Sequence, residues 1–298
     1  MKKIYCIVIF LFAASTFAEA QVEGVKLIPF NQNSLFGYKE ATTGEVVIPC
    51  IFDGAEDFHE GLALVQKKLK YGFIDSKGSI VVKLKYDKAD NFENGMSVVK
   101  VGNKSGVIDK DGKLIVPMNY DGIGRFNHGR ALAWKNNRYG FLDISGNLII
   151  PLIYDMAYAF GSEGLALVNK GGKMNVKKNF TGGKCGFIDT EGNEVIPSKY
   201  DWTEPFVNGR SRFVLNGKVG CIDITGKELT PALYEDMGTF NESLAIIVLN
   251  GKFGFIDISG KVAITPQYEN AKEFYKGSAD VLLNGNWLKI DHQGKVIE

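Results

Sequence analysis

The sequence predicts an all-β chain: a tandem array of eight three-stranded repeats of about 34 residues, open and solenoid-like, with a closed propeller-like ring as the alternative. Three observations predict it. The glycines of one recurring turn, Gly44, Gly78, Gly112, Gly146, Gly192, Gly226, Gly260 and Gly294, stand 34 residues apart, except for 46 between Gly146 and Gly192. The surrounding phrases agree from unit to unit, as in "YGFIDSKGSIVV", "YGFLDISGNLIIP", "CGFIDTEGNEVIP" and "FGFIDISGKVAITP". Between these turns lie short β-branched and aromatic runs bounded by turn residues, which favour strands over helices.

The elements follow in order within each unit. Residues 61–65 (GLALV) are a first strand and residues 71–75 (YGFID) a second. Asn216-Gly217, Asn250-Gly251 and Asn284-Gly285 fall between first and second strands. Asn-Gly suits a two-residue hairpin because both positions need positive φ. Asp75 to Gly78, Asp109 to Gly112 and Asp143 to Gly146 separate second from third strands. Asp at the first and Gly at the fourth position suit a type I turn, the carboxylate capping backbone N–H groups. Third strands, such as residues 46–49, carry Pro49, Pro117, Pro151, Pro197, Pro231 and Pro266, where a missing donor does least harm.

Such a unit cannot bury a core alone, whereas stacked units share one. Small residues after the loop glycine (Ala63, Ser97, Ala131, Ala166, Ser211, Ala245 and Ala279) suit close stacking. Phe58, Phe92, Phe126, Phe160, Phe206, Phe240 and Phe274 recur in phase and are assigned to the inter-repeat core. The array reads as starting on a first strand (26–30) and ending on a third (295–297), an arrangement that favours the open form.

The phrase GFID-x-x-G-K-x-x-x-P-x-x-Y-D followed by F-x-x-G-x-A resembles the WG-repeat family of bacterial proteins, over residues 27–298. The namesake Trp-Gly is degenerate: its first position is Phe36, Tyr71, Ser105, Tyr139, Cys185, Val219, Phe253 and Trp287, and Leu288 replaces the last glycine. The resemblance implies a β-repeat array and interaction roles, with no agreed activity.

Lys2 and Lys3, an apolar run over residues 4–14 and Ala18-Glu19-Ala20 describe a secretory signal peptide at 1–20, followed by one repeat domain at 21–298. The run is shorter than the roughly 20 residues a membrane span needs. The chain is therefore expected to be exported: periplasmic, outer-membrane-associated or secreted. It carries 35 basic and 34 acidic residues; without Lys2, Lys3 and Glu19 each count is 33. That balance argues against nucleic acid as a partner. Export permits disulfides, but Cys50, Cys185 and Cys221 form no recognisable framework. They are read as buried thiols, with a Cys185–Cys221 pair as the alternative.

No catalytic constellation emerges. One Asp per unit before a turn glycine (Asp75, Asp109, Asp143, Asp189, Asp223, Asp257, Asp291) has a local explanation as a turn cap, and no calcium array is expected. The second acidic series (Asp53, Asp87, Asp121, Asp155, Asp201, Glu235, Glu269) is read as structural for the same reason of recurrence. His59, His128 and His292 have no metal-ligand spacing, and no nucleophile elbow or phosphate loop occurs. The expectation is a protein without enzymatic activity, metal or cofactor.

Departures from the repeat are the functional candidates. Trp202 occupies a position otherwise held by Gly54, Lys88, Gly122, Met156, Asp236 and Asn270, a variability that suggests exposure. Arg210 and Arg212 enter a first strand, Arg212 where Leu64, Val98, Leu132, Leu167 and Ile246 stand. Trp with Arg is the composition of an interface hot spot; the structural alternative is a covering Trp with Arg stems lying along apolar surface. The 12-residue excess lies within about 160–185, and its part joining first and second strands, residues 165–185, carries Lys170, Lys173, Lys177, Lys178 and Lys184 without an acid. It is either an extended hairpin tip or a basic lobe beside Trp202. The candidate binding residues are Trp202, Arg210, Arg212, Lys173, Lys177 and Lys178. The expected partner is a protein at the bacterial envelope, with an envelope glycan as the alternative.

Overall fold

In the computed structural model, which describes residues 26–174 and 180–297, all regular secondary structure is β-strand. The predicted leader at 1–20 and the candidates Lys177 and Lys178 lie outside the described residues. The strands form eight small antiparallel sheets in chain order, spanning residues 27–52, 54–86, 88–120, 122–154, 156–200, 202–234, 236–268 and 270–290. No sheet closes into a barrel.

Each of the six inner sheets has four strands rather than the expected three. The added strand opens the sheet, directly after the Tyr-Asp pair, as in Gly54–His59 and Trp202–Thr203. It is two residues long at Lys88–Ala89, Met156–Ala157, Trp202–Thr203, Asp236–Met237 and Asn270–Ala271, too short to show an alternating pattern. The sheet order places this opening strand at one edge and the Pro-bearing third strand at the other. The expected final strand at 295–297 is reduced to an isolated Ile290–Val296 bridge, so the eighth sheet has no outer strand.

Alternation along a strand explains how stacking works. Successive side chains point to opposite faces, and both faces of an inner sheet are covered. In Leu62–Lys67, Ala63 and Val65 pack with Tyr38 and Ile48 of the first sheet, while Leu62 and Leu64 pack with Phe92 and Val99 of the third. Seven clusters of buried residues result, one at each junction between consecutive sheets. Among the described residues no such cluster joins the first sheet to the eighth, the arrangement of an open array rather than a ring.

The residues picked from the repeat sit at these junctions. Ala63, Ala131 and Ala166 are fully buried where sheets approach. Recurring Phe rings meet the Phe of the preceding sheet: Phe73–Phe92 at 4.5 Å, Phe141–Phe160 at 4.7 Å, Phe187–Phe206 at 4.6 Å and Phe255–Phe274 at 4.9 Å between centroids. The 12-residue excess is taken up mainly by a longer hairpin, in which Ala166–Met174 pairs with Phe180–Ile188.

Candidate functional site

The recurring acids are held by the backbone they fold. Asp75 Oδ1 accepts the N–H groups of Lys77 at 2.9 Å and Ser79 at 2.8 Å, and the same two bonds recur at Asp109, Asp143, Asp189, Asp223, Asp257 and Asp291. The second series caps the hairpin turn of its own sheet: Asp53 accepts from Lys68 N–H, Asp121 from Asn136, Asp201 from Asn216 and Glu235 from Gly251. It also pairs with a cation of the preceding sheet, as in Lys70–Asp87, Lys104–Asp121, Arg138–Asp155 and Lys184–Asp201. Hydrogen bonds from Lys70 and from Gly102 N–H hold the Asp87 carboxyl below its ordinary range. These acids bind sheet to sheet.

The thiols are chemically quiet. Cys50, Cys185 and Cys221 are all free, so the Cys185–Cys221 alternative is not realised. Burial pushes the Cys221 thiol up to about 11 and raises Cys185, leaving both protonated at neutral pH. Among the described residues, no group of three or more His, Cys, Asp or Glu is placed to hold a metal ion.

Arg210 and Arg212 do come together. They line one groove of about 80 Å³ between the sixth and seventh sheets, with Glu204 and Phe240. Arg212 makes a two-point pair with Glu204, its Nε donating to Oε2 at 3.0 Å and its Nη2 to Oε1, while Nη1 donates to the Met237 carbonyl. Arg210 Nε donates to the Ile258 carbonyl at 2.9 Å and its guanidinium lies 5.5 Å from the Phe240 ring centroid. Arg130, two units earlier, donates from Nε to the Thr190 carbonyl at 2.7 Å, so Arg210 has a counterpart and staples neighbouring sheets.

The other candidates lie elsewhere. Trp202 is 37% exposed on the opening strand, opposite Val214, and does not line that groove. Lys173 sits in the long hairpin opposite Thr181 and lines a cleft of about 320 Å³ with Asn136, Arg138 and Asp155, towards the fourth sheet. Lys170 and Lys184 of the same hairpin are engaged with Glu194 and Asp201. The described lysines therefore divide between ion pairs and a cleft apart from the arginines.

The profile of the family described as "WG containing repeat" matches residues 42–70, 71–104, 106–139, 139–173, 186–218, 220–253 and 253–287, well over half of the chain. The chain belongs to the WG-containing repeat family. No curated protein matches it. Among solved structures it is similar to a eukaryotic initiation factor, with 8% identity over 92% of this chain and 84% of the other at a TM-score of 0.40. It is similar also to Hsv2 of Kluyvelomyces marxianus, with 10% identity over 77% and 88% at a TM-score of 0.35.

The register of the WG repeats places a further candidate cleft in the array, one that no sequence motif marks. Arg212 fills a junction that is open three repeats earlier. There, between the third and fourth sheets, a cleft of about 420 Å³ is lined by His59, Glu60, Asp90, Asn91, Glu93 and Arg125. The WG register makes Asp90 the counterpart of Glu204, and Val98 that of Arg212: Asp90 N–H donates to Val98 O at 3.0 Å, and Glu204 N–H to Arg212 O at 3.1 Å. The signal available in the sequence was this acid eight residues before a strand position that sometimes carries the opposite charge.

Proposed function

We propose that this WG-repeat chain is a non-catalytic, exported scaffold whose extended surface binds a protein partner at the bacterial envelope. One observation carries the reading. The recurring polar residues are consumed in turns and sheet junctions, whereas the outer strand of every sheet that has one leaves an apolar side chain in solvent. These are Val46, Ile80, Leu114, Leu148, Val195, Leu233 and Val262, five of them at the first position of the strand. Isolated exposed apolar residues need no explanation, but a row repeated along one edge is the kind of surface that marks association. The exposed Pro49, Pro117, Pro151, Pro197 and Pro231 on the same strands remove donors there, which discourages open-ended strand pairing while leaving side chains available. Export rests on the basic, apolar and small-residue sequence at 1–20.

The test is photo-crosslinking in cells from positions flanking Ile80, Leu114 and Leu148, beside a variant with all three changed to Lys. The expected result is a discrete protein adduct that the triple variant loses while its melting temperature stays unchanged. An adduct yield at background, or one indifferent to the triple change, overturns the reading. Retention on purified peptidoglycan abolished by Trp202→Ala would replace it with glycan binding.

A further inference from the structure

We infer that the cleft between the third and fourth sheets is a receptor for a guanidinium group, supplied by an arginine side chain of the protein partner. The repeat itself shows what fits there. In the sixth sheet the equivalent position is filled from within: Arg212 donates to the Glu204 carboxylate and to the Met237 carbonyl of the next sheet, and the remaining groove is about 80 Å³. In the eighth sheet the same pair of positions forms an ion pair of reversed sign, Lys272 Nζ to Asp280 Oδ2 at 3.1 Å. In the third sheet Val98 provides no charge, and the cleft is about 420 Å³.

The groups left behind are acceptors. The Asp90 and Glu93 carboxylates make no hydrogen bond or ion pair among the described residues. Asn91, where the sixth sheet has Pro205, adds an amide side chain to the lining. A guanidinium is a fork of five donors with no acceptor and pairs with carboxylates. Val98 and Phe126 supply an apolar wall for the arginine stem. Glu60 also lines the cleft but is engaged by Lys110 and by Gly95 N–H. His59 and Arg125 face the same space, and Arg125, exposed and unpaired, is the one group of opposing sign. Carboxylates outnumber it.

The arginine's origin in a protein partner rests on the function proposed above; the chemistry of the cleft does not. The test therefore uses the purified chain and the blocked tripeptide acetyl-Gly-Arg-Gly-amide, with norleucine in place of arginine as control, followed by NMR titration. Saturable binding of the arginine peptide alone is expected. Asp90→Asn should weaken it about tenfold, the loss of a charge-assisted pair. Val98→Arg should abolish it by copying the internal plug of the sixth sheet, and Arg125→Ala should tighten it. Absence of saturable arginine binding overturns the inference, as does binding unchanged by both Asp90→Asn and Val98→Arg, or matched by norleucine. An intact peptide titration alongside background crosslinking in cells would overturn the proposed function alone.

Discussion

At Gly140 a single hydrogen decides whether the outer strand can close on its neighbour. A Cβ built there would lie 2.3 Å from the Ile150 carbonyl oxygen, inside the bulge at which Tyr139 and Phe141 shift register against the outer strand. The contact is with backbone, so no side chain can turn aside. Gly140→Ala is expected to cost about 1–3 kcal/mol, the range for overpacking, read as a lower urea midpoint with an unchanged slope. A midpoint within error of the parent would show that the bulge yields. One repeat dispenses with this glycine: Leu288 stands in the eighth sheet, which has no outer strand to receive a close approach. Sequence alone displayed Leu288 as a departure without showing why it is tolerated. The turn aspartates were fully legible, because a carboxylate two and four residues before the N–H groups it caps is a local arrangement. Arg210 was less so: its partner, the Ile258 carbonyl, is 48 residues away in sequence.

Among the elements, the long hairpin is the clearest test of what the scaffold needs. Its base carries the ordinary duties of a repeat, since Ala166, Val168 and Ile188 belong to the buried cluster beneath the fourth sheet and Leu167 to the one beneath the sixth. Beyond Lys170 and Lys184 its described strand residues are mostly exposed. Replacing residues 171–183 by Asn-Gly, the turn used at 216–217, keeps Lys170 paired with Glu194 and Lys184 with Asp201. Lengthening or shortening a surface loop changes closure entropy only slowly, about 0.6 kcal/mol per doubling. The trim also removes Gly172 and Gly182, which hold the buried Asn169 amide, so it is paired with Asn169→Val, valine being the residue at the equivalent position 214. That chain should melt within a few degrees of the parent by circular dichroism. A large drop would mean that the extension packs as part of the core. The opening strand shows the opposite limit of sequence reading. With two residues in most units it has no periodicity to read, and its existence depends on the adjacent central strand, as in Trp202 opposite Val214 and Thr203 opposite Phe213. The open cleft was hidden for a related reason: it is made by three consecutive sheets, and its meaning comes only from comparing Val98 with Arg212 in register.

For the whole molecule, the decisive property is that cohesion is linear: seven buried clusters, each shared by two neighbours, reinforced by carboxylates repeated from sheet to sheet. Many of those carboxylates are held in the same direction. At Asp143 burial opposes ionisation, yet the N–H groups of Asn147 and Ser145 and the Asn147 amide outweigh it and lower the carboxyl below its usual range. Asp223 and Asp257 are lowered first by the hydroxyls of Thr225 and Ser259, and Asp121 and Asp201 first by Lys104 and Lys184. A carboxyl lowered on folding contributes stability that is present above its unfolded pKa and is lost as pH falls through the folded value. The ordinary range for Asp is about 4, so the urea midpoint should be flat from about pH 8 down to about pH 5 and fall below about pH 4. Each group is largely in solvent and contributes little alone, but the loss recurs at several turns and at the junctions bridged by Asp87, Asp121 and Asp201. In a stack where each sheet has only its neighbours to hold it, repeated small losses become one steep acid transition. A midpoint that stays level to about pH 3, or that begins to fall near pH 6, would show that the repeated aspartates are not what couples sheet to sheet.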